Sequence, residues 1–392
     1  MTITEVMLRA IGAQVCGKDA ALQCEMPADG LRSLYKLAKA HDVAHLVSAQ
    51  LTTEGLITPG DEIGDKFRRE QMLSVFRAEQ QAHEQEQLYL ALAEAKIPFI
   101  PLKGAVIRGI YPDPAMRTSC DIDVLVKAED LQRAVQYTVD TLGYREQERG
   151  THDVSMIAPS GVCVELHYAL VEKCRANNCH LILAEVWDHA CPTSYDPYCF
   201  ALSDEMLYYY HIAHMAKHFE NGGCGIRPFL DLWLLENRVE HDEKARRALL
   251  ARGGLLRFAE CCCALSQVWF EDAPHTPITL EMAQYLLRGG AYGNMENMVT
   301  VNRRKKGGKV RYVLSRLFLP YETLCLLYPV VRKHRLLAPV MQVRRWVTHF
   351  LRGRWKRSLK EIGINRTVSE EKQDRASTML ESVGLGGENN AK

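Results

Sequence analysis

The chain has no long apolar run; nowhere does it approach the roughly 18 consecutive apolar residues that a membrane-spanning helix requires. Its opening residues, MTITEVMLRAIGA, lack both the basic start and the apolar core of a secretory signal. Neither sign of charge prevails, with 49 Lys and Arg against 48 Asp and Glu, so whole-chain electrostatics select no polyanionic or polycationic partner. Paired CxxC motifs and HExxH are both missing, which removes the commonest zinc patterns, and no RNA-recognition signature occurs. The thirteen cysteines are odd in number, and the run Cys261-Cys262-Cys263 reads as reduced apolar side chains rather than a disulfide framework. A reducing, cytoplasmic setting is expected. What is present, 47% hydrophobic and 25% charged over 392 residues, is the composition of an ordinary globular protein of two or three domains.

The chemistry concentrates between residues 97 and 168. A short apolar run, residues 97–102, ends in Lys103-Gly104 and leads into helix-like sequence, a place where backbone N–H groups can face phosphate. Asp121-Ile122-Asp123-Val124-Leu125-Val126 reads as a strand by its β-branched content. Side chains alternate along a strand, so Asp121 and Asp123 share one face and Ile122 and Val124 the other. Two carboxylates that close repel each other unless a cation lies between them. Val162, Val164 and Leu166 form the apolar face of a further strand, leaving Cys163, Glu165 and His167 opposite. Pro159-Ser160-Gly161 and the apolar run before it make this the second arm of a hairpin. Three acidic oxygen donors would then meet, a set suited to Mg²⁺ or Mn²⁺.

These pieces, in this order, resemble the polymerase-β-like nucleotidyltransferase superfamily. The words LKG, YPDP, R-x-x-x-DID, LGY and VELHY resemble more narrowly its family of uncharacterised nucleotidyltransferases. Where the wider superfamily usually shows Gly-Gly or Gly-Ser at the turn, this chain has Lys103-Gly104-Ala105. The resemblance implies an α+β fold in which a polymerase-β-like nucleotidyltransferase core, a small mixed sheet with helices, is embedded between N-terminal and C-terminal helical regions. It implies that Asp121, Asp123 and Glu165 hold the metal, with Glu165 also helping to deprotonate the acceptor. Gly104 would line the triphosphate turn, while Lys103 and Arg117 would meet phosphate. The expected substrates are an NTP and an acceptor hydroxyl on a small molecule, peptide or protein. A non-catalytic nucleotide- or RNA-binding module on the same fold is the alternative.

The flanks divide the chain further. Residues 1–95 read as a helical region, with Leu31, Leu34, Leu37 and Ala38 at helical spacing and one long helix over 62–95 after the Pro59-Gly60 break. Residues 96–200 hold the core, with Asn177-Asn178 and 191–194 as loops. Residues 201–290 form a helical domain opening at a Ser203 cap. Its first helix aligns His211, His214 and His218 with Lys217, and this block also resembles the family, so His214 and Lys217 are expected near nucleotide or acceptor. Arg227 offers a fork for phosphate that Asp231 could orient; a structural Arg–Asp pair reads equally well. Residues 291–365 form a basic amphipathic region: positions 301–360 carry seventeen Lys and Arg against one acid, Glu322. Such a block can hold nucleic acid or an anionic membrane surface, and a solvated face is its plainest reading. The polar tail, 366–392, is expected to be disordered.

Overall fold

Helix breakers and caps set the limits of the N-terminal elements. The computed structural model describes all residues except 19–21, 23–25, 171–177, 292, 352, 354 and 387–392. Helices α1 (Ile3–Ile11), α2 (Ala28–Ala40) and α3 (Ala44–Thr53) precede the 33-residue α4 (Glu62–Glu94). The Asp61 carboxylate accepts from the Gly64 N–H at 2.7 Å, satisfying one of the four donors that a helix start leaves unpaired. At 1.5 Å per residue α4 is about 50 Å long. Ile63 and Phe67 at one end join the helical core, while Leu88 and Leu92 at the other pack under the sheet.

The sheet comprises β1 (Phe99–Pro101), β2 (Asp121–Val126), β3 (Arg145–Arg149), β4 (Asp153–Ile157) and β5 (Cys163–His167), in the order β1-β2-β5-β4-β3. β2 and β5 run parallel and every other neighbouring pair antiparallel, so the fold is mixed α+β. Parallel neighbours need a crossover, supplied here by α6 (Leu131–Leu142) followed by β3 and β4, whereas the six-residue α5 (Lys103–Arg108) links β1 towards β2. α6 stops at Gly143, whose φ of +67° is the left-handed position a helix terminus favours for glycine. Ile122, Val124, Val164 and Leu166 face a core shared with α4 and α6. Leu125, on the opposite face with Asp121 and Asp123, belongs to the helical core instead.

That second core is built from α7 (Cys179–Ala184), α8 (Asp204–Glu220), α9 (Arg227–Asn237), α10 (Glu243–Arg252), α11 (Leu256–Phe270) and α12 (Pro277–Leu287), and α1 to α3 contribute to the same cluster. Cys261 and Cys262 are buried and free within it. Two expectations, for Cys191-Pro192 and for the Ser203 cap, change here. Cys191 and Pro192 are in β6 (Ala190–Pro192), which pairs with β7 (Phe200–Leu202), rather than in a loop; a two-stranded edge tolerates proline. Asn178 precedes α7 and Asn177 lies outside the described residues. Ser203 does precede α8, but its hydroxyl makes no capping bond.

The basic region is helical: α13 (Met295–Lys305), α14 (Lys309–Leu317), α15 (Tyr321–Leu327), α16 (Pro329–Lys333), α17 (Ala338–Leu351) and α18 (Trp355–Thr367). The expected disorder of 366–392 gives way to α19 (Glu370–Ser382), capped by Ser369, with Met379, Leu380, Val383 and Leu385 buried in the main core; residues 387–392 lie outside the described set. Burying four apolar side chains outweighs the tail's polar composition. Among the described residues, no helix is long and apolar enough to cross a membrane.

A buried ion pair joins sheet to helices. Arg117, four residues before β2, places Nε and Nη2 each 2.8 Å from the two Asp231 oxygens on α9, and the Tyr111 hydroxyl donates to the same carboxylate at 2.8 Å. Asp231 and Arg117 are 2% and 6% exposed, which makes loss of either partner costly. Burial opposes the Asp231 charge, but the adjacent guanidinium outweighs it and holds the carboxyl below its usual range. Asp231→Ala should therefore destabilise the fold by about 3–5 kcal/mol in urea titrations. A folded-state pKa below the unfolded one gives stability that is present above the ordinary carboxylate pKa of about 3.9 and fades as pH falls through the folded value. Acidification below that point should destabilise wild type more steeply than Asp231→Asn. Leu380→Ala should cost about 2–5 kcal/mol in the same titrations, the range for emptying a buried leucine site.

Candidate active site

The parallel pairing of β2 and β5 sets Asp123 directly across from Glu165, Asp121 across from Cys163 and Leu125 across from His167. With period-two alternation, the acidic side chains and His167 emerge on one face of the sheet. They line a cavity of about 320 Å³ whose other walls come from the start of α5, from α8 and from the start of α9. Lys103, Gly104, Arg117, Asp121, Asp123, Glu165, His214, Lys217 and Arg227, the nine residues singled out in the sequence, all border this one space.

Their surroundings differ. His167 Nε2 lies 3.2 Å from Asp123 Oδ1 and 3.5 Å from Glu165 Oε2, so the imidazole bridges the carboxylates. Burial alone would strip its proton, yet the bonds to Asp123 and Glu165 push its pKa up to about 9, leaving it cationic at neutral pH. For Asp123, burial opposes ionisation, but the His167 bond and the charge of Lys103 prevail and hold the group well below the ordinary carboxylate range. Asp121 goes the other way: burial, reinforced by the charges of Asp123 and Glu165, pushes it up to about 6. The internal cations thus neutralise Asp123 and leave Asp121 under repulsion.

The ligand atoms of Asp123, Glu165 and His167 lie within 4.8 Å of one another. The carboxylates of Asp123 and Glu165, with Asp121 destabilised next to them, are oxygen donors that fit a divalent cation, which would relieve the repulsion that burial intensifies; His167, while protonated, positions them rather than ligating. His167 is therefore part of the cluster, although in the sequence it reads equally well as a core or strand-pairing residue. Its alternation with Glu165 is the only sequence signal for it.

Opposite the acids stands a cationic and aromatic wall. Lys103 Nζ donates to His214 Nδ1 at 3.0 Å and sits 5.3 Å from the Tyr210 ring centroid. His214 and His218 pack edge to face at 4.3 Å, and Lys217 borders the same space. The histidine stripe splits, since His211 is buried and donates through Nε2 to the Pro228 carbonyl at 2.9 Å. Gly104 occupies the first turn of α5, where its carbonyl accepts from Arg117 Nη1 at 3.2 Å.

One arginine expectation is corrected. Arg117 borders the cavity with all three of its guanidinium nitrogens bonded to protein, two to Asp231 and one to Gly104, which makes it a buried strut. Asp231 accordingly orients Arg117, not Arg227. Arg227 instead uses Nη1 for the Thr118 carbonyl at 2.6 Å and for Asp42 at 3.1 Å. Asp42 takes up a left-handed conformation, φ +57°, between α2 and α3, and nothing in its sequence context marks it as a partner for Arg227.

A family model described as uncharacterised nucleotidyltransferase matches residues 27–271. No curated protein and no solved structure matches the chain. The matched segment runs from α2 to the end of α11 and includes the acidic cluster, His167 and the whole cationic wall. By that match over more than half its length, the chain belongs to the family of uncharacterised nucleotidyltransferases and is a transferase enzyme.

Proposed function

We propose that the enzyme moves a nucleoside monophosphate from an NTP to an acceptor hydroxyl, releasing pyrophosphate, and that its five-stranded sheet is a polymerase-β-like core. The observation that carries this reading is the pairing of Asp123 with Glu165 across β2 and β5, with Asp121 alongside, facing a cationic wall across one cavity. A triphosphate is a polyanion, and it enters such a space only if some walls are positive while others recruit cations. Lys103, His214, Lys217 and Arg227 are the side chains we assign to the phosphates. Asp121, Asp123 and Glu165 would hold Mg²⁺ or Mn²⁺, which when bound would supply charge to the phosphate oxygens and lower the acceptor pKa. Glu165, more open than Asp123, is the group we assign to accept the proton of the attacking hydroxyl. His167 steadies both carboxylates before substrate arrives.

A second reading has one observation in its favour. Cationic His167 already bridges Asp123 and Glu165, which would suit a nucleotide-binding module without turnover. Nucleic acid bound through the basic segment 301–360 would belong to the same reading. Turnover separates the two readings.

Asp121→Asn/Asp123→Asn should abolish NTP consumption while leaving the far-UV circular dichroism of the folded protein unchanged; wild-type-like activity in this variant would refute the assignment. Glu165→Gln should lower turnover by roughly 10²- to 10⁴-fold, as expected for losing a general base. Mg²⁺ or Mn²⁺ affinity, followed by calorimetry, should weaken about tenfold per pH unit below the Asp121 value of about 6, because the carboxyl must lose its proton to accept a cation. Asp121→Asn should flatten that profile.

A further inference from the structure

α17 is amphipathic but mounted with its faces reversed. Its polar side turns inward: Gln342 Nε2, Arg345 Nη2 and Trp346 Nε1 all donate to the Leu317 carbonyl at the end of α14, at 2.6, 2.7 and 2.8 Å. Phe318 packs edge to face on Trp346 at 5.4 Å and fixes the same junction. The apolar side turns outward. Val340, Val343, Val347 and Leu351 recur at spacings that define one helical stripe, continued by Leu336 before the helix and by Phe350, and all six are between 51% and 93% exposed. α14 repeats the pattern with Val310, Leu314 and Leu317 exposed. A water-soluble surface does not order aliphatic side chains this way without a partner to cover them.

The charges next to the stripe identify that partner. Arg332, Lys333 and Arg335 are exposed immediately before Leu336, and Arg344 is exposed beside Val340 and Val347. The one acid within 301–360 is Glu322, and the next, Glu361, is buried and neutralised by Arg316 at 2.8 Å. Cations flanking an aliphatic stripe match a surface that is anionic at its headgroups and hydrocarbon just beneath. Nucleic acid would use the cations but leave the valines and leucines in water, because its recognition runs through phosphates, base edges and stacked aromatics.

We propose that the outer face of α17, with that of α14 beside it, seats the enzyme on an anionic lipid bilayer, the helix lying in the plane of the interface with the Leu336-to-Leu351 stripe immersed and the neighbouring arginines and lysine at the headgroups. The contact is peripheral, since no described helix can span the bilayer. It is separate from the nucleotidyltransferase site and does not depend on the reaction assigned there.

The full-length protein is sedimented with phosphatidylcholine vesicles that contain or lack phosphatidylserine, at low and high salt. Binding to the phosphatidylserine vesicles alone, weakened by salt, is the expected result. Val343→Glu/Val347→Glu should reduce the partition coefficient at least tenfold, with unchanged circular dichroism and unchanged thermal shift on NTP addition. Arg332→Glu/Lys333→Glu/Arg335→Glu should reduce it about a hundredfold, from roughly 1 kcal/mol per basic residue near an anionic surface. Absence of binding to phosphatidylserine vesicles overturns the proposal, as does binding that the valine variant leaves intact. So does a salt-sensitive complex with RNA in place of vesicles, or a lipid-independent dimer that the valine variant dissociates without any vesicle binding by wild type.

Discussion

The arrangement of the site depends on one buried contact, the bidentate pair of Arg117 and Asp231 capped by Tyr111. Arg117 enters from the loop that becomes β2, and Asp231 from the first turns of α9. Fixing one on the other sets the distance between the carboxylates of the sheet and the helices that carry the cationic wall. Arg227 lies four residues before Asp231 on α9, and therefore on the same helical face, so the pair also aims Arg227 at the cavity rim. A buried ion pair adds little net stability over apolar residues of equal volume. Its value here is geometric: an apolar replacement would pack, but it would not hold the α5 carbonyl, Tyr111 and α9 in one register.

Against that rigid frame the acidic face of the sheet is held in tension. Strand interiors disfavour aspartate, and burial raises the cost of each further charge. The protein satisfies Asp123 internally through His167 and Lys103 and leaves Asp121 with its pKa raised. A buried carboxyl raised by burial and by two like charges, lining a cavity, suits a position that takes up a cation or a proton. The bridging imidazole does not contradict this. It preserves the carboxylate geometry while the cavity is open to water, and its own charge depends on the two acids that hold it.

How much of this could be read from the sequence follows from the range of the forces involved. Strand alternation is local, so the facing of Asp121, Asp123 and Glu165 was legible from residue types and a two-residue period. The break at Pro59-Gly60 before α4 was legible for the same reason. The partners of Arg117 were not: Asp231 is 114 positions away, and Arg227, closer to it on α9, offered an equally good fork. Asp42 was hidden likewise, because its role depends on a turn conformation and on Arg227, 185 positions distant. For the tail, composition points the wrong way. Ser369 with Glu370 and Glu371 is a sound helix start, and Met379, Leu380 and Val383 share one face, yet the polar majority around them masks both signals.

The near-neutral total charge conceals a strongly divided molecule. Outside residues 301–360 the chain carries 32 Lys and Arg against 47 Asp and Glu, so the part that contains the site is acidic and the segment carrying α14 and α17 is basic. In the proposed reaction an acidic body would draw divalent cations but repel a nucleoside triphosphate, and a local positive wall in the cavity would offset that repulsion. The same division acts on orientation. Near an anionic surface the acidic body is pushed away and the basic end drawn in, over a range of about 8–10 Å at physiological salt. Placement of the outward apolar stripe within the basic segment therefore makes charge and hydrophobic immersion act in one direction in the proposed bilayer contact.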